Sequence, residues 1–142
     1  MLDKVAIQAI IPHRHEMLLI DQITELIPGT SAIGWSFPSK DEWYYKGHFP
    51  DYPVTPGVLI LEMMAQTAAV CFLSMPEHQG KLGFFAGINK ARFRAQVRPE
   101  DTLQLSIRTK RVLGDLVIVE CEAHVENTLV SEAELLLMVA SR

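Results

Sequence analysis

The chain has 142 residues, 49% hydrophobic and 21% charged, with a formal net charge of −4 at pH 7. That length supports one domain, spanning 1–142, with a substantial core, and the composition excludes a disordered chain. The opening MLDKVAIQAIIPHR does not read as a signal peptide, and the longest apolar stretch, Val58 to Met75, is broken by Glu62, Gln66 and Thr67, against a membrane span.

In chain order, residues 3 to 10 predict a short helix ended near Pro12. MLLIDQITELI, 17–27, predicts a strand, and Pro28-Gly29 a turn into a second strand, TSAIGWSF. Residues 38 to 55 predict a proline-stiffened loop. Thr55-Pro56 predicts a helix start, with Thr55 capping free backbone donors and Pro56 at the first helical position. The helix then runs to Met75, apolar on nearly every side and therefore buried on nearly every side. KLGFFAGI, DTLQLSIRTKRVL, LVIVECEAHVE and LVSEAELLLMVA predict strands, with alternation clear at Leu103, Leu105 and Ile107 and at Val117, Val119 and Cys121. One long buried helix with several antiparallel strands predicts an α+β fold, a curved sheet wrapped around the helix.

Within this frame, GHFPDYPVTPGVLILE, 47–62, carries the chemistry. Glu62 stands in an apolar helix where only Gln66, four positions on, offers a polar contact; loss of solvation favours its neutral form. A structural glutamate with a buried hydrogen bond is the alternative. His48 is placed in a loop, suited to accept a proton near neutral pH. The helix start at Gly57 and Val58 presents free N–H groups with the positive end of the helix dipole behind them, a site for a carbonyl oxygen gaining negative charge. A base, a neutral acid and an oxyanion site match β-elimination from an acyl thioester. His13, His15, His78 and His124 are assigned to packing or surface roles. The histidines show no metal spacing, and no metal or cofactor is expected.

Cys71 and Cys121 form no CxxC or Cys/His cluster, which predicts a reduced, cytoplasmic chain with buried thiols. From Lys81 to Arg111 there are eight basic residues against Glu100 and Asp101, while the remainder holds five basic and fifteen acidic residues. Such a surface suits an acidic partner, unless the charges merely solvate the outer face of strands. No nucleic-acid-binding pattern is present, so nucleic acid is not expected as a partner.

GHFPDYPVTPGVLILEMMAQ closely resembles the signature of the 3-hydroxyacyl-[acyl-carrier-protein] dehydratases of type II fatty acid synthesis. IPHRHEMLLID and FAGINKARFRAQVRPEDTL resemble the flanking motifs of the same family, so the resemblance covers most of the chain. It implies a hot-dog fold, dimers that pair their sheets, commonly three to a hexamer, and an acidic acyl carrier protein bearing the 3-hydroxyacyl chain as partner. By motif position it implies His48 as catalytic histidine, Glu62 as catalytic acid and Gly57 as oxyanion donor, with Val58 beside it. The histidine and acid of one centre would come from opposite subunits. Lys90, Arg92 and Arg94 become candidates for carrier binding. His15-Glu16-Met17 replaces the usual aromatic-proline-aromatic run, and Asn89 stands where aspartate is common.

Other readings of the same residues are a dehydratase that also isomerises the double bond, a thioesterase of the same fold, and an acyl-thioester binding module without turnover.

Overall fold

A computed structural model describes all 142 residues. Helix α1 (Lys4–Gln8) opens the chain, capped by Asp3, whose side chain accepts from Ala6 N–H. Strands β1 (Gln22–Ile27) and β2 (Ser31–Ser36) follow, then helices α2 (Trp43–His48) and α3 (Gly57–Leu73). Strands β3 (Leu82–Phe93), β4 (Leu103–Leu113), β5 (Leu116–Val125) and β6 (Thr128–Ala140) complete it. The strands form one antiparallel sheet in the order β1-β2-β4-β5-β6-β3. After β2 the chain leaves the sheet, runs through α3 and returns at the far edge as β3, beside the last strand.

Strand alternation sets the two faces. Leu103, Leu105 and Ile107 of β4, Val117, Val119 and Cys121 of β5, and Leu135, Leu137 and Val139 of β6 are buried against α3. Ser106, Arg108, Glu120, Glu122, Glu132 and Glu134 alternate with them on the other face. Bulges interrupt five places in the ladders, among them Phe85/Gly87 and Asn89/Arg92 in β3, and each bends its strand. The sheet thereby curves until α3 touches all six strands. This is the α+β hot-dog arrangement. Close approach is tightest at Gly34 of β2, where an added Cβ would lie 2.6 Å from Thr67 Oγ1.

Three local expectations need correction. The strand expected over 17–27 begins only at Gln22: residues 15–17 form a 3₁₀ turn, and Leu18, Leu19 and Ile20 are all buried, without the alternation a half-buried strand requires. The loop expected over 38–55 contains α2, which fits between Pro38 and Pro50 and buries Tyr44 and Tyr45. The long helix is 17 residues, about 25 Å, and starts at Gly57, with Pro56 in the capping position and no side-chain cap. Thr55 does not cap it because it lies one residue ahead of the capping position; its hydroxyl bonds instead to the buried Tyr45 hydroxyl, at 2.8 Å.

Both cysteines are free and buried, and burial pushes each thiol up from its ordinary pKa. No helix is long and apolar enough to cross a membrane.

Candidate active site

Helix α3 buries thirteen of its seventeen residues; the exceptions are Gly57, Val58, Leu59 and Glu62. The first three belong to the opening turn. Glu62 is thus the one position further along where an otherwise enclosed helix meets accessible space, and it is a carboxylate in an apolar run.

His48 ends α2 rather than lying in a loop. Its Nδ1 is 2.9 Å from the carbonyl oxygen of Val54. A carbonyl can only accept, so Nδ1 carries a proton, and in the neutral ring Nε2 holds the lone pair. The ring also stacks on Phe49, with centroids 4.0 Å apart. The segment that supplies this carbonyl is itself pinned, since Thr55 N–H donates to Val97 carbonyl at 2.8 Å. Prolines 50 and 53 stiffen the same connection.

A groove of about 540 Å³ is lined by His48, Gly57, Val58, Phe93 and Arg94. At its floor the N–H groups of Leu59 and Ile60 both reach the Pro56 carbonyl, at 3.0 and 3.3 Å. Those of Gly57 and Val58 have no partner. Pro56 in the capping position leaves this helix start without a side-chain cap, and free donors at a helix N-terminus suit developing negative charge.

Glu62 lines a different, narrow cavity of about 50 Å³ between α3 and the inner face of the sheet. Its walls are apolar, among them Ala65, Ala69, Phe72, Leu137 and Val139. The structure therefore brings His48 together with Gly57 and Val58 but sets Glu62 in a separate opening of the subunit. Gln66 Nε2 donates to Glu62 Oε2 at 2.9 Å, as helical spacing suggests. His13, expected to serve packing, stands with its Nε2 3.4 Å from the same oxygen. The IPHR motif is the available signal: it holds His13 four residues beyond the Ala9 cap of α1, where Arg14 ties the segment to the carbonyls of Gln8 and Ile11.

The basic candidates divide. Arg94 lines the His48 groove and pairs with Glu132, as Arg108 pairs with Glu120 and Lys110 with Glu134. Three of the eight basic residues of the 81–111 run are thereby paired with strand carboxylates. Lys90 faces the outer hollow beside Glu134, at a bulge where its own φ is 55°. Arg92 has no carboxylate partner; its guanidinium donates to the carbonyl of Ala91.

Known proteins resemble this chain over nearly its full length. The FabA-like domain matches residues 11–134. A 3-hydroxyacyl-[acyl-carrier-protein] dehydratase FabZ from Chloroflexus aggregans is 50% identical over 139 residues, covering 98% of this chain and 96% of that protein. The protein of the same name from Clostridium botulinum (strain Loch Maree) is 47% identical over 138 residues, covering 97% and 96%. Among solved structures, the dehydratase heterocomplex ApeI:P from Xenorhabdus doucetiae superposes with a TM-score of 0.82 at 18% identity, covering 96% of this chain and 91% of that one, a likeness of fold. With residues 11–134 matched and near half identity to full-length relatives, the chain belongs to the FabA-like family, as a member of the FabZ type.

Proposed function

We propose that the protein dehydrates 3-hydroxyacyl chains on an acyl carrier protein to trans-2-enoyl thioesters, the dehydration step of type II fatty acid synthesis, with His48 as base and Glu62 as acid. The observation that carries the residue roles is the tautomer of His48. With Nδ1–H committed to Val54, Nε2 is a free lone pair in the groove that also holds two unpartnered helix-terminal N–H groups.

In the reaction His48 Nε2 takes the α-proton, and the C–H pair becomes the new Cα=Cβ bond. The β C–O bond breaks, and its oxygen departs with the proton of Glu62 as water. His48 is left protonated and Glu62 ionised; exchange of a proton through solvent restores both. The thioester oxygen gains charge as the α-proton leaves, and the N–H groups of Gly57 and Val58 receive it. One such donor contributes about 3 kcal/mol in comparable sites.

His48 and Glu62 open onto different cavities of one subunit, which supports a centre shared between two subunits. Strand β3 is a sheet edge of twelve residues with Phe84, Phe85 and Ile88 exposed, an edge that pairing with a second copy would cover. Three such dimers would make the hexamer that the family resemblance implies. Arg94 lines the His48 groove and Arg92 lacks an acidic partner, so both suit an acidic carrier at its mouth, with Lys90 further along the strand. Hydrolytic and non-catalytic readings are not favoured, because near-full-length relatives bear the dehydratase name.

The test is turnover of a defined 3-hydroxyacyl carrier substrate, followed by conjugated enoyl absorbance. His48→Ala and Glu62→Gln should each reduce kcat by at least about 100-fold with the oligomer intact. Near-normal turnover in either variant rejects the role assigned to that residue.

A further inference from the structure

Two residues outside the proton transfers converge on Glu62. His13 Nε2 lies 3.4 Å from Glu62 Oε2, and Gln66 Nε2 donates to the same oxygen at 2.9 Å. The amide of Gln66 has one possible orientation: its Oε1 accepts from Leu19 N–H at 3.0 Å, and its Nε2 also donates to the Met17 carbonyl at 2.6 Å. Glu62 Oε1 has no protein partner.

The imidazole is constrained as well. The Arg14 guanidinium donates to the carbonyls of Gln8, Ile11 and His13, at 2.7, 2.9 and 2.7 Å, and so ties the His13 segment to the end of α1. His13 Nδ1 is buried without any partner. A proton on that atom would be a buried donor with no acceptor, a heavier cost than an idle lone pair on a neutral ring. In its neutral form His13 therefore carries its proton on Nε2, the ring nitrogen 3.4 Å from Glu62 Oε2.

We propose that His13 is a positioning residue that selects which oxygen of Glu62 carries the catalytic proton. This deepens the reading of Glu62 as the acid and rests on it. A neutral carboxyl group has one oxygen that only accepts and one that bears hydrogen. One N–H bonded to Oε2 and a second N–H 3.4 Å away favour it as the acceptor, so the proton sits on Oε1, the oxygen left free for the departing hydroxyl. Turning the group over would set O–H against two N–H donors. A separation of 3.4 Å is long for such a bond, and catalytic contacts of this kind shorten when reactant fills the site.

The test compares two thioesters in the full-length oligomer. A 3-hydroxyacyl thioester needs a proton for its leaving group; a 3-chloroacyl thioester does not, because the C–Cl pair departs as chloride while His48 takes the α-proton. His13→Phe removes the donor at similar volume, with His13→Leu as a second donor-free variant. Each should lower kcat on the hydroxy substrate about 10-fold or more with KM little changed. Chloride elimination should stay within about threefold of wild type. His13→Gln, whose amide carries a neutral N–H to the same reach, should recover most of the lost rate. Equal losses on both substrates, unchanged dehydration in the donor-free variants, or no recovery in His13→Gln overturns the proposal and leaves Glu62 as the acid. Dehydration that survives Glu62→Gln removes the acid assignment itself, and the proposal with it.

Discussion

The ring of Phe93 covers Gly57: a Cβ built on the glycine would stand 2.7 Å from Phe93 Cε1 and 2.8 Å from Cδ1. The last residue of β3 and the first of α3 are thus fitted to each other at the uncapped start of α3. Phe93 is half exposed, so its ring can swing aside. Gly57→Ala should fold, with a stability loss of about 1 kcal/mol, but its methyl group would crowd the donors proposed for the thioester oxygen. The expected result is a kcat at least about tenfold lower. Adding Phe93→Leu should recover the stability in urea titrations and leave the rate low. Recovery of both would mean that the ring, and not access to the helix start, limits the reaction.

Gln66 is 1% exposed, and its amide holds three groups, Leu19 N–H, the Met17 carbonyl and Glu62. Gln66→Leu conserves volume but strands the buried Leu19 N–H. The cost should be about 1–3 kcal/mol, read as a lower denaturation midpoint. Turnover should fall as well, since Glu62 loses its donor. An unaltered midpoint would show that water replaces the amide.

How much of this was legible follows from what each signal depends on. The long helix, β4 to β6 and the pairing of Gln66 with Glu62 depend on periodicity, and periodicity is local. Helix α2 was hidden because six residues between prolines give no repeat; what holds it is burial of Tyr44 and Tyr45, a tertiary cause. Thr55 differs from its expected role because the helix starts one residue later, at Gly57, and its hydroxyl meets a buried tyrosine ten residues away that no local rule reveals. His13 meets Glu62 from 49 positions away, a distance that no spacing rule spans. The charge asymmetry was visible as a run, but its neutralisation depends on strand register, which sets Arg108 opposite Glu120.

Alkaline pH should weaken the fold in a defined window. Burial, helped by the neighbouring Tyr45, Glu42 and Asp21, raises Tyr44 above its ordinary 10.0, and burial likewise raises Tyr45. Cys71 and Cys121 are raised above 9.0, in both cases chiefly by burial. The native state keeps these protons where the unfolded chain releases them. Their contribution is therefore complete below the unfolded values and is lost as pH rises through and beyond them. Urea midpoints should hold from about pH 7 to 8.5 and fall steadily above about pH 9. Tyr44→Phe should flatten the upper part of that decline. A midpoint constant to about pH 11 would contradict the burial of these groups.

A centre shared across subunits makes a quantitative prediction. His48→Ala and Glu62→Gln are each expected to be inactive alone. If they are unfolded together in equal amounts and refolded, half of the dimers combine one of each. In such a dimer one centre receives both damaged residues and the other receives His48 from one chain and Glu62 from its partner. The mixture should recover about one quarter of wild-type activity, given the two-fold symmetry of a dimer. Charge on the β3 edge tests the route by which subunits meet. Phe84 and Ile88 are exposed there, and Phe84→Glu combined with Ile88→Lys should yield monomers in sedimentation that keep the fold and lose turnover. Failure of the mixture to recover any activity, or full activity in a demonstrated monomer, would place both residues of each centre within one chain.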